Sequence, residues 1–436
     1  MSPGRKLRAV RPAPVERLFT DGEARFDGGP LLKVSGGSDD RPLVLIRAGA
    51  QDLDAVRLGI AQGARPSGVT VGLGEQNATV RRVRAISNEH GVAWGSDPLL
   101  YKTAFDGYRT AQSLQLLDYT PGRDADPYTP EELADQKALS QITRKAIGHQ
   151  FDMGTGFVIG ADFYIRNVSD PMLGICRRAI GLSIDARDAH GARPLVAPIR
   201  VSLSGFETLK EQAALVRTLA ARRPDAYLVH LDGLHEDATD KRIVAAFRLM
   251  LALQTVGGPV LFARPGDLRH GALAAGVRGI EVGLGRLLRF SAPDYDKPSG
   301  GPGPVPVRFE FPSLVASLPR RATRVAFEAG RLEECECSCG SCEQRSLEAR
   351  LSGAAVHNQH KIIEGVSELV GSTAVERSTQ LDAALARATW LLNGLKDPHA
   401  KKVQRRGEKM RRAINELGEQ GLLVPDAAAE ALGLTG

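Results

Sequence analysis

Four of the five cysteines in this 436-residue chain fall within eight positions, as Cys335-x-Cys337-x-Cys339-x-x-Cys342, and His357 and His360 follow. Thiols at that density either pair as disulfides or converge on a metal. A disulfide needs Cα atoms about 4.4–6.8 Å apart with suitably directed Cβ vectors, and Cys-x-Cys pairs close small, strained rings. No apolar leader precedes residue 30, so the expected compartment is the cytoplasm, where thiols stay reduced. A zinc ion removes the crowding, because thiolates at about 2.3 Å and an imidazole nitrogen at about 2.0–2.1 Å share one centre. Cys337, Cys339 and Cys342 supply three sulfurs, either His357 or His360 supplies the nitrogen, and Cys335 is a spare. Four sulfur and nitrogen ligands with no open position make a structural site and not a catalytic one.

The elements that hold such a cluster are legible in the rest of the chain. Its length exceeds the usual single-core limit of about 250–300 residues, so one large domain with appendages, or two domains, is expected. Hydrophobic content of 42% and charged content of 25% describe an ordinary globular composition. The most apolar run, 243–263, contains Arg248, Gln254 and a Gly-Gly-Pro break, which excludes a membrane-spanning helix there. A formal charge of +6 permits a polyanionic partner without requiring one.

Residues 1–40 read as an irregular basic segment with Arg5, Lys6, Arg8 and Arg11. From about residue 41 a rhythm begins. Eight short apolar runs lie at 42–49, 68–74, 91–98, 156–165, 194–203, 226–233, 259–266 and 278–285, and most end in Gly, Asp or Pro. Most of the segments between them are amphipathic and of helix length, such as "LKEQAALVRTLAARR" (209–223). Near-continuous apolar strands alternating with helices imply a parallel sheet covered on both faces. Eight such units over 41–291 predict an α/β fold, a (β/α)8 TIM barrel, with an open doubly wound sheet as the alternative. One crossover, at about 100–155, is long enough for two extra helices and would stand at the C-terminal mouth of the barrel. A Pro/Gly linker (292–306), a zinc-binding subdomain with docking helices (307–395) and a basic helical tail (396–436) complete the expected organisation. In the tail, "HAKKVQRRGEKMRRA" (399–413) carries seven Lys or Arg against one Glu, either a solvated face or a phosphate-binding one. Trp390, with Leu381, Leu385 and Leu392, reads as the apolar stripe of a docking helix.

A parallel barrel followed by Cys-x-Cys-x-x-Cys and a later His-Asn resembles the tRNA-guanine transglycosylase family. That family comprises the queuine- and archaeosine-type tRNA-ribosyltransferases and their relatives that insert deazaguanine bases into DNA. The matching residues are Cys337, Cys339, Cys342 and His357, with Asn358 after it, and the likeness spans about 40–395. It implies a structural Zn2+, a nucleic-acid partner (tRNA or DNA), a 7-deazaguanine-type base and a homodimer or partner subunit. It also implies base exchange, in which one carboxylate attacks the sugar C1′ and expels guanine while a second moves protons.

On the same resemblance, Asp97 ("GVAWGSD") falls where the family keeps its proton-handling aspartate, although "PLLYK" replaces the usual continuation. Asp162 ("VIGADFY") falls where an aspartate reads the purine edge. Asp232 and Gly233 ("VHLDG") fall at the base-binding loop. Each of these aspartates could instead cap a helix or turn. The family's nucleophile is the second acid of Gly-Ile-Asp-x-Phe-Asp. Here "GIEVGLG" matches Glu281 to the first acid and places Leu284 at the second, with Glu281 on the opposite face by strand alternation.

Three functions follow: an active exchange enzyme using Glu281, Asp232 or Glu236; a non-catalytic zinc-bearing subunit that binds nucleic acid or a catalytic partner; or an unrelated TIM-barrel enzyme acting on a small phosphorylated substrate. The third would cradle phosphate at "GLGRLLRF" (283–290) beside Arg286 and Arg289. His230 and His235, on either side of Asp232, lack a third ligand at metal-binding spacing.

Overall fold

Strands apolar on both faces need cover on both sides, and closing the sheet on itself supplies it. The computed structural model describes residues 42–73, 77–122, 125–234, 238–284, 290, 308–311, 315–331, 337–344, 346–369 and 372–434. The expected basic segment (1–40) and linker (292–306) lie outside them.

Strands β1 (Leu43–Arg47), β2 (Gly68–Gly72), β3 (Ala93–Asp97), β4 (Val158–Ile159), β5 (Tyr164–Ile165), β6 (Leu195–Ser202), β7 (Ala226–Asp232), β8 (Val260–Ala263) and β9 (Gly279–Gly283) form one parallel sheet. Its order is β3-β2-β1-β9-β8-β7-β6-β4, and β5 shares the fourth position by pairing further along β6. The amides of Gly156 and Phe157 donate to the Trp94 carbonyl at 2.8 and 3.4 Å, bringing the two ends of the sheet together. The result is an eight-position barrel of the TIM type.

Alternation sorts the side chains. Leu43, Leu45, Ala93, Phe157, Ile159, Leu228, Leu261 and Ala263 fill the interior. Val44, Ile46, Val69, Val71 and Trp94 face outward against the helices, so Trp94 is packing. Gly95 is what lets Phe157 fill the barrel, because a Cβ at residue 95 would lie 2.3 Å from the Phe157 ring. Gly95→Ala is therefore expected to cost about 1–3 kcal/mol in a denaturant melt, with Phe157→Leu recovering part of the loss.

The outer layer holds α1 (Leu53–Ala61), α2 (Asn77–His90), α3 (Pro130–Ala134), α4 (Gln136–Asp152), α5 (Pro171–His190), α6 (Leu209–Leu219), α7 (Asp240–Gly257) and α8 (Arg269–Ala274). Their starts are written locally. Thr129 and Thr208 form capping boxes with Glu132 and Glu211, and Asp135, Asp170 and Thr239 each accept a first-turn amide. The long crossover holds three 3₁₀ turns (Leu100–Ala104, Asp106–Thr110 and Leu114–Leu116) before α3 and α4. Its residues Leu99, Tyr101, Phe105, Tyr108 and Leu114 join Phe290 in an apolar cluster at the C-terminal ends of the strands.

The C-terminal region opens with an antiparallel hairpin, β10 (Arg308–Phe311) and β11 (Ala316–Pro319). Helices α9 (Arg320–Glu328), α10 (Leu347–Ser352), α11 (Ala354–Ser367), α12 (Ala374–Leu392), α13 (Pro398–Glu419) and α14 (Pro425–Ala431) follow. Helix α13 carries the basic run, yet much of that charge is engaged within the chain. Arg406 pairs with buried Asp267, Arg411 with Asp382, Arg412 with Asp240, and Lys409 donates to the Ala238 carbonyl. On α12, Leu381, Leu385 and Leu392 are buried, but Trp390 is 59% exposed with the Arg331 guanidinium 5.0 Å from its ring centre, so it does not belong to the docking stripe. Among the described residues no helix is long and apolar enough to cross a membrane.

Candidate functional site

The cysteine loop closes on the start of α11. The ligand atoms of Cys337, Cys339, Cys342 and His357 all lie within 4.8 Å of one another. The Sγ atoms of Cys337, Cys339 and Cys342 stand 3.4, 3.7 and 3.2 Å from His357 Nδ1, and Cys337 Sγ is 3.6 Å from Cys342 Sγ. Tetrahedral zinc with about 2.3 Å sulfur bonds and about 2.0–2.1 Å nitrogen bonds requires donor separations of roughly 3.5–3.8 Å, so the four donors fit such an ion. His357 Nε2 lies 2.8 Å from the Glu310 carbonyl on β10, which fixes the tautomer that leaves Nδ1 as the ligand, and the ring stacks on Phe309. His360 is outside the cluster, and Cys335 lies outside the described residues.

The next two residues join this centre to the barrel. The Asn358 amide nitrogen donates to the carbonyls of Leu284 and Arg308, and its oxygen accepts from the Glu310 amide. Gln359 donates to the carbonyl of Ala64 beyond α1 at 2.7 Å. Beside the Cys3His group, Asn358 and Gln359 therefore tie α11 to the end of β9 and to α1.

The second constellation lies inside the barrel, toward the C-terminal ends of the strands. Asp97 Oδ2 accepts from Arg47 Nη1 at 3.1 Å and Arg200 Nη2 at 2.7 Å, and Oδ1 accepts from the Leu99 amide at 2.9 Å. Arg200 also donates to Asp162 Oδ2. Glu281 Oε1 accepts from Thr70 Oγ1 at 2.6 Å and lies 3.8 Å from Arg47 Nη1. Asp232 Oδ2 accepts from the Tyr164 hydroxyl at 2.9 Å. Four carboxylates predicted from sequence thus share one interior, with Asp97 and Glu281 flanking a single guanidinium.

Leu284 requires a correction. It packs with Val44, Ile46 and Ile280 on the outside of the barrel, so the position matched to the family's nucleophile has no access to the interior. Glu281, on the opposite face of β9, points inward. Gly233 follows β7 with φ +90°, a left-handed conformation suited to glycine. Arg286, Arg289, His235 and Glu236 lie outside the described residues.

Burial and charge set these acids apart. Burial alone would raise Asp97, but Arg200, Arg47 and the Leu99 amide outweigh it and hold the carboxyl below its usual range. Burial, offset only in part by Arg200 and reinforced by the charge of Asp97, raises Asp162 to about 6. One carboxylate is held ionised beside another able to exchange a proton near neutrality, the separation that acid–base work needs. Several polar atoms here are buried without a hydrogen-bond partner among the described residues: Asp162 Oδ1, Asp232 Oδ1, Glu281 Oε2, Arg200 Nε and both ring nitrogens of His230. Orphans of this kind are uncommon in an interior and call for a partner that an ordered water or a bound ligand could supply.

The cover is aromatic. Arg200 lies 4.0 Å from the Tyr101 ring centre, and Phe290 packs 5.1 Å from His230 and 5.9 Å from Tyr101. Asp97, Arg200 and Glu281 are all fully buried beneath it, so a substrate must displace this cover to reach them. Two residues at the rim, Leu99 (φ 56°) and Arg264 (φ 51°), hold left-handed backbone without being glycine, as occurs where function constrains the chain.

Sequence reasoning passed over Arg47, Thr70 and Arg200. Their signal was available: Arg47 and Arg200 are cations at inward positions of strands otherwise nearly apolar, and a lone arginine there needs a buried partner.

No family model matches the chain, and no curated protein matches it. Among solved structures, one similar chain is the carboxyl transferase domain from Rhizobium etli pyruvate carboxylase with 3-bromopyruvate. The two are 12% identical over 94% of this chain and 68% of that one, with a TM-score of 0.36. A likeness at that score carries no weight for what the interior site does.

Proposed function

We propose that this protein exchanges guanine for a 7-deazaguanine base in a nucleic acid, tRNA or DNA, through a covalent sugar–carboxylate intermediate. The observation that carries the reading is the pair Glu281 and Asp97 inside the barrel on either side of Arg47, beneath an aromatic cover. Glu281 is the nucleophile in this reading. Thr70 holds its Oε1, while Oε2 is buried without a partner and has a lone pair to offer C1′. As the Glu281–C1′ bond forms, the C1′–N9 bond breaks and its electron pair leaves with guanine, which takes a proton from Asp162. The incoming base returns a proton to Asp162 as its own nitrogen attacks C1′ and releases Glu281. Asp97, held ionised, fixes Arg47 and Arg200 and balances their charge.

The ion we assign to the Cys3His group is zinc, with a structural role and no part in the exchange. The reading as a non-catalytic subunit drew on Leu284 and on the basic tail; Leu284 faces the helices, and this reading stands as the alternative.

The direct test is to incubate purified protein with tRNA or duplex DNA and labelled guanine. Incorporation into either polymer is the expected result. Absence of label from both, under conditions where the nucleic acid binds, would remove the exchange reading and return the non-catalytic one. A pH series adds a second check. Asp162 must carry its proton to help guanine leave, and it loses that proton as pH rises through about 6. Single-turnover guanine release should therefore fall about tenfold per pH unit above that value. A flat profile between pH 6 and 8 would take Asp162 out of the proton transfer.

A further inference from the structure

We propose that His230 is a substrate-contacting residue that holds the base in a recess over Ala263, between the imidazole and Glu281; this rests on the exchange reading and adds a residue to its site. His230 lies in β7, and alternation puts it on the same face as Leu228, which lines the barrel interior, and opposite to Val229 and Leu231, which pack on the helices. It pairs in register with Arg200 on β6. On the other side, Val229 pairs with Phe262, so His230 and Ala263 stand at one level, and Ala263 pairs directly with Glu281 on β9. The order across three neighbouring strands is imidazole, methyl, carboxylate. Two strand spacings of about 4.8 Å put roughly 10 Å between the outer backbones, with the smallest side chain in the middle. All three are buried, so a flat heterocycle would meet the imidazole and the carboxylate across this short side chain only once the cover is displaced.

The imidazole is free to serve it. Both ring nitrogens are buried and neither has a hydrogen-bond partner among the described residues, which is a costly state in a folded interior unless something arrives to satisfy it. Burial, together with Arg200, Arg264 and Arg47, keeps the ring well below its ordinary pKa, so it is neutral and offers one N–H donor and one lone pair. Among the described residues the one ring contact on it is Phe290, a cover residue, so displacing the cover exposes His230 as well. A base carrying a donor and an acceptor on one edge would satisfy this ring while Glu281 attacks the attached sugar.

The experiment uses the full chain with its metal, labelled with ¹⁵N-histidine, and free guanine as the probe. The His230 ring resonances, assigned by their absence from His230→Gln, should shift when guanine is added. In the exchange assay His230→Ala should raise KM for guanine about tenfold, one hydrogen bond's worth at about 1.4 kcal/mol, with kcat changed less. His230→Gln, which keeps a donor and an acceptor, should recover part of that loss, and Ala263→Leu, which fills the recess, should raise the same KM. Because a variant at a packed position can misfold, each is checked for wild-type metal content and melting temperature, and the wild-type resonance shift does not depend on any variant folding. If exchange proceeds but the resonances stay still and His230→Ala keeps its KM, the His230 proposal is overturned and the exchange reading stands. If no exchange occurs yet the resonances move, the exchange reading fails and the base recess survives. Silence in both overturns both.

Discussion

Glu281→Gln is expected to abolish base exchange while leaving the fold intact. Glutamine has the shape of glutamate and keeps an oxygen to accept from Thr70 Oγ1, so the hydrogen bond at 2.6 Å can be retained. Arg47 keeps its partner Asp97, so the change leaves no unpaired buried cation. What disappears is the anionic oxygen able to form a bond to C1′. Loss of a nucleophile that acts in concert with other groups reduces turnover by factors on the order of 10⁴ or more. On the exchange reading the wild type should form a denaturation-resistant protein–nucleic acid adduct when no incoming base is supplied, and the same variant should fail to form it. Turnover within tenfold of wild type would take Glu281 out of the nucleophile's role and leave Asp232 as the remaining described acid proposed for it.

The second large effect concerns the Cys3His group. Metal analysis of the purified chain should return one zinc per polypeptide, and Cys339→Ser should lose it. Cys339 is fully buried in the cluster, so serine leaves a hole in the coordination sphere that water does not easily fill. Structural zinc sites bind with apparent free energies of about 10–16 kcal/mol near neutrality, and where the bound ion stabilises the fold that energy is folding energy. The hairpin β10–β11 and helices α9 and α10 share with α12 and α13 a modest core around Phe309, Phe311, Leu318, Leu347 and Leu351, and should loosen without the ion. The consequence reaches the barrel, because Asn358 beside the ligand His357 holds the Leu284 carbonyl just beyond β9. Chelation should therefore expose 308–369 to limited proteolysis and lower the melting temperature. A metal-free chain with unchanged proteolysis would mean that the four side chains converge for some other reason, and the likeness that began with them would go too.

Local pattern and tertiary assembly divided the information unevenly. The eight strand positions were legible because nearly every strand residue is buried and most of the runs end in Gly, Asp or Pro, so apolar run length and punctuation are local quantities. The metal group was legible for the same reason: three of its ligands sit within six residues, and only His357 had to be chosen over His360. That choice needed three dimensions, since Nδ1 of one ring faces the sulfurs while its Nε2 meets the Glu310 carbonyl on a hairpin 47 residues away. The interior acids were visible as residue types at strand ends, but their partnerships were not. Arg47 and Asp97 are 50 residues apart, Arg200 and Asp97 are 103, and Thr70 and Glu281 are 211.

The amino-acid sequence by itself determined a parallel barrel and a Cys3His cluster, because strand periodicity, helix capping and ligand spacing act over a few residues. That Glu281 and Leu284 take opposite faces followed from alternation; which of the two lines the interior was decided only when the barrel closed. The tertiary structure also decided the charge state of the acids. A carboxyl's proton affinity depends on the burial and the guanidiniums around it, and closing the barrel put Arg47 and Arg200 beside Asp97 while leaving Asp162 with a single cation.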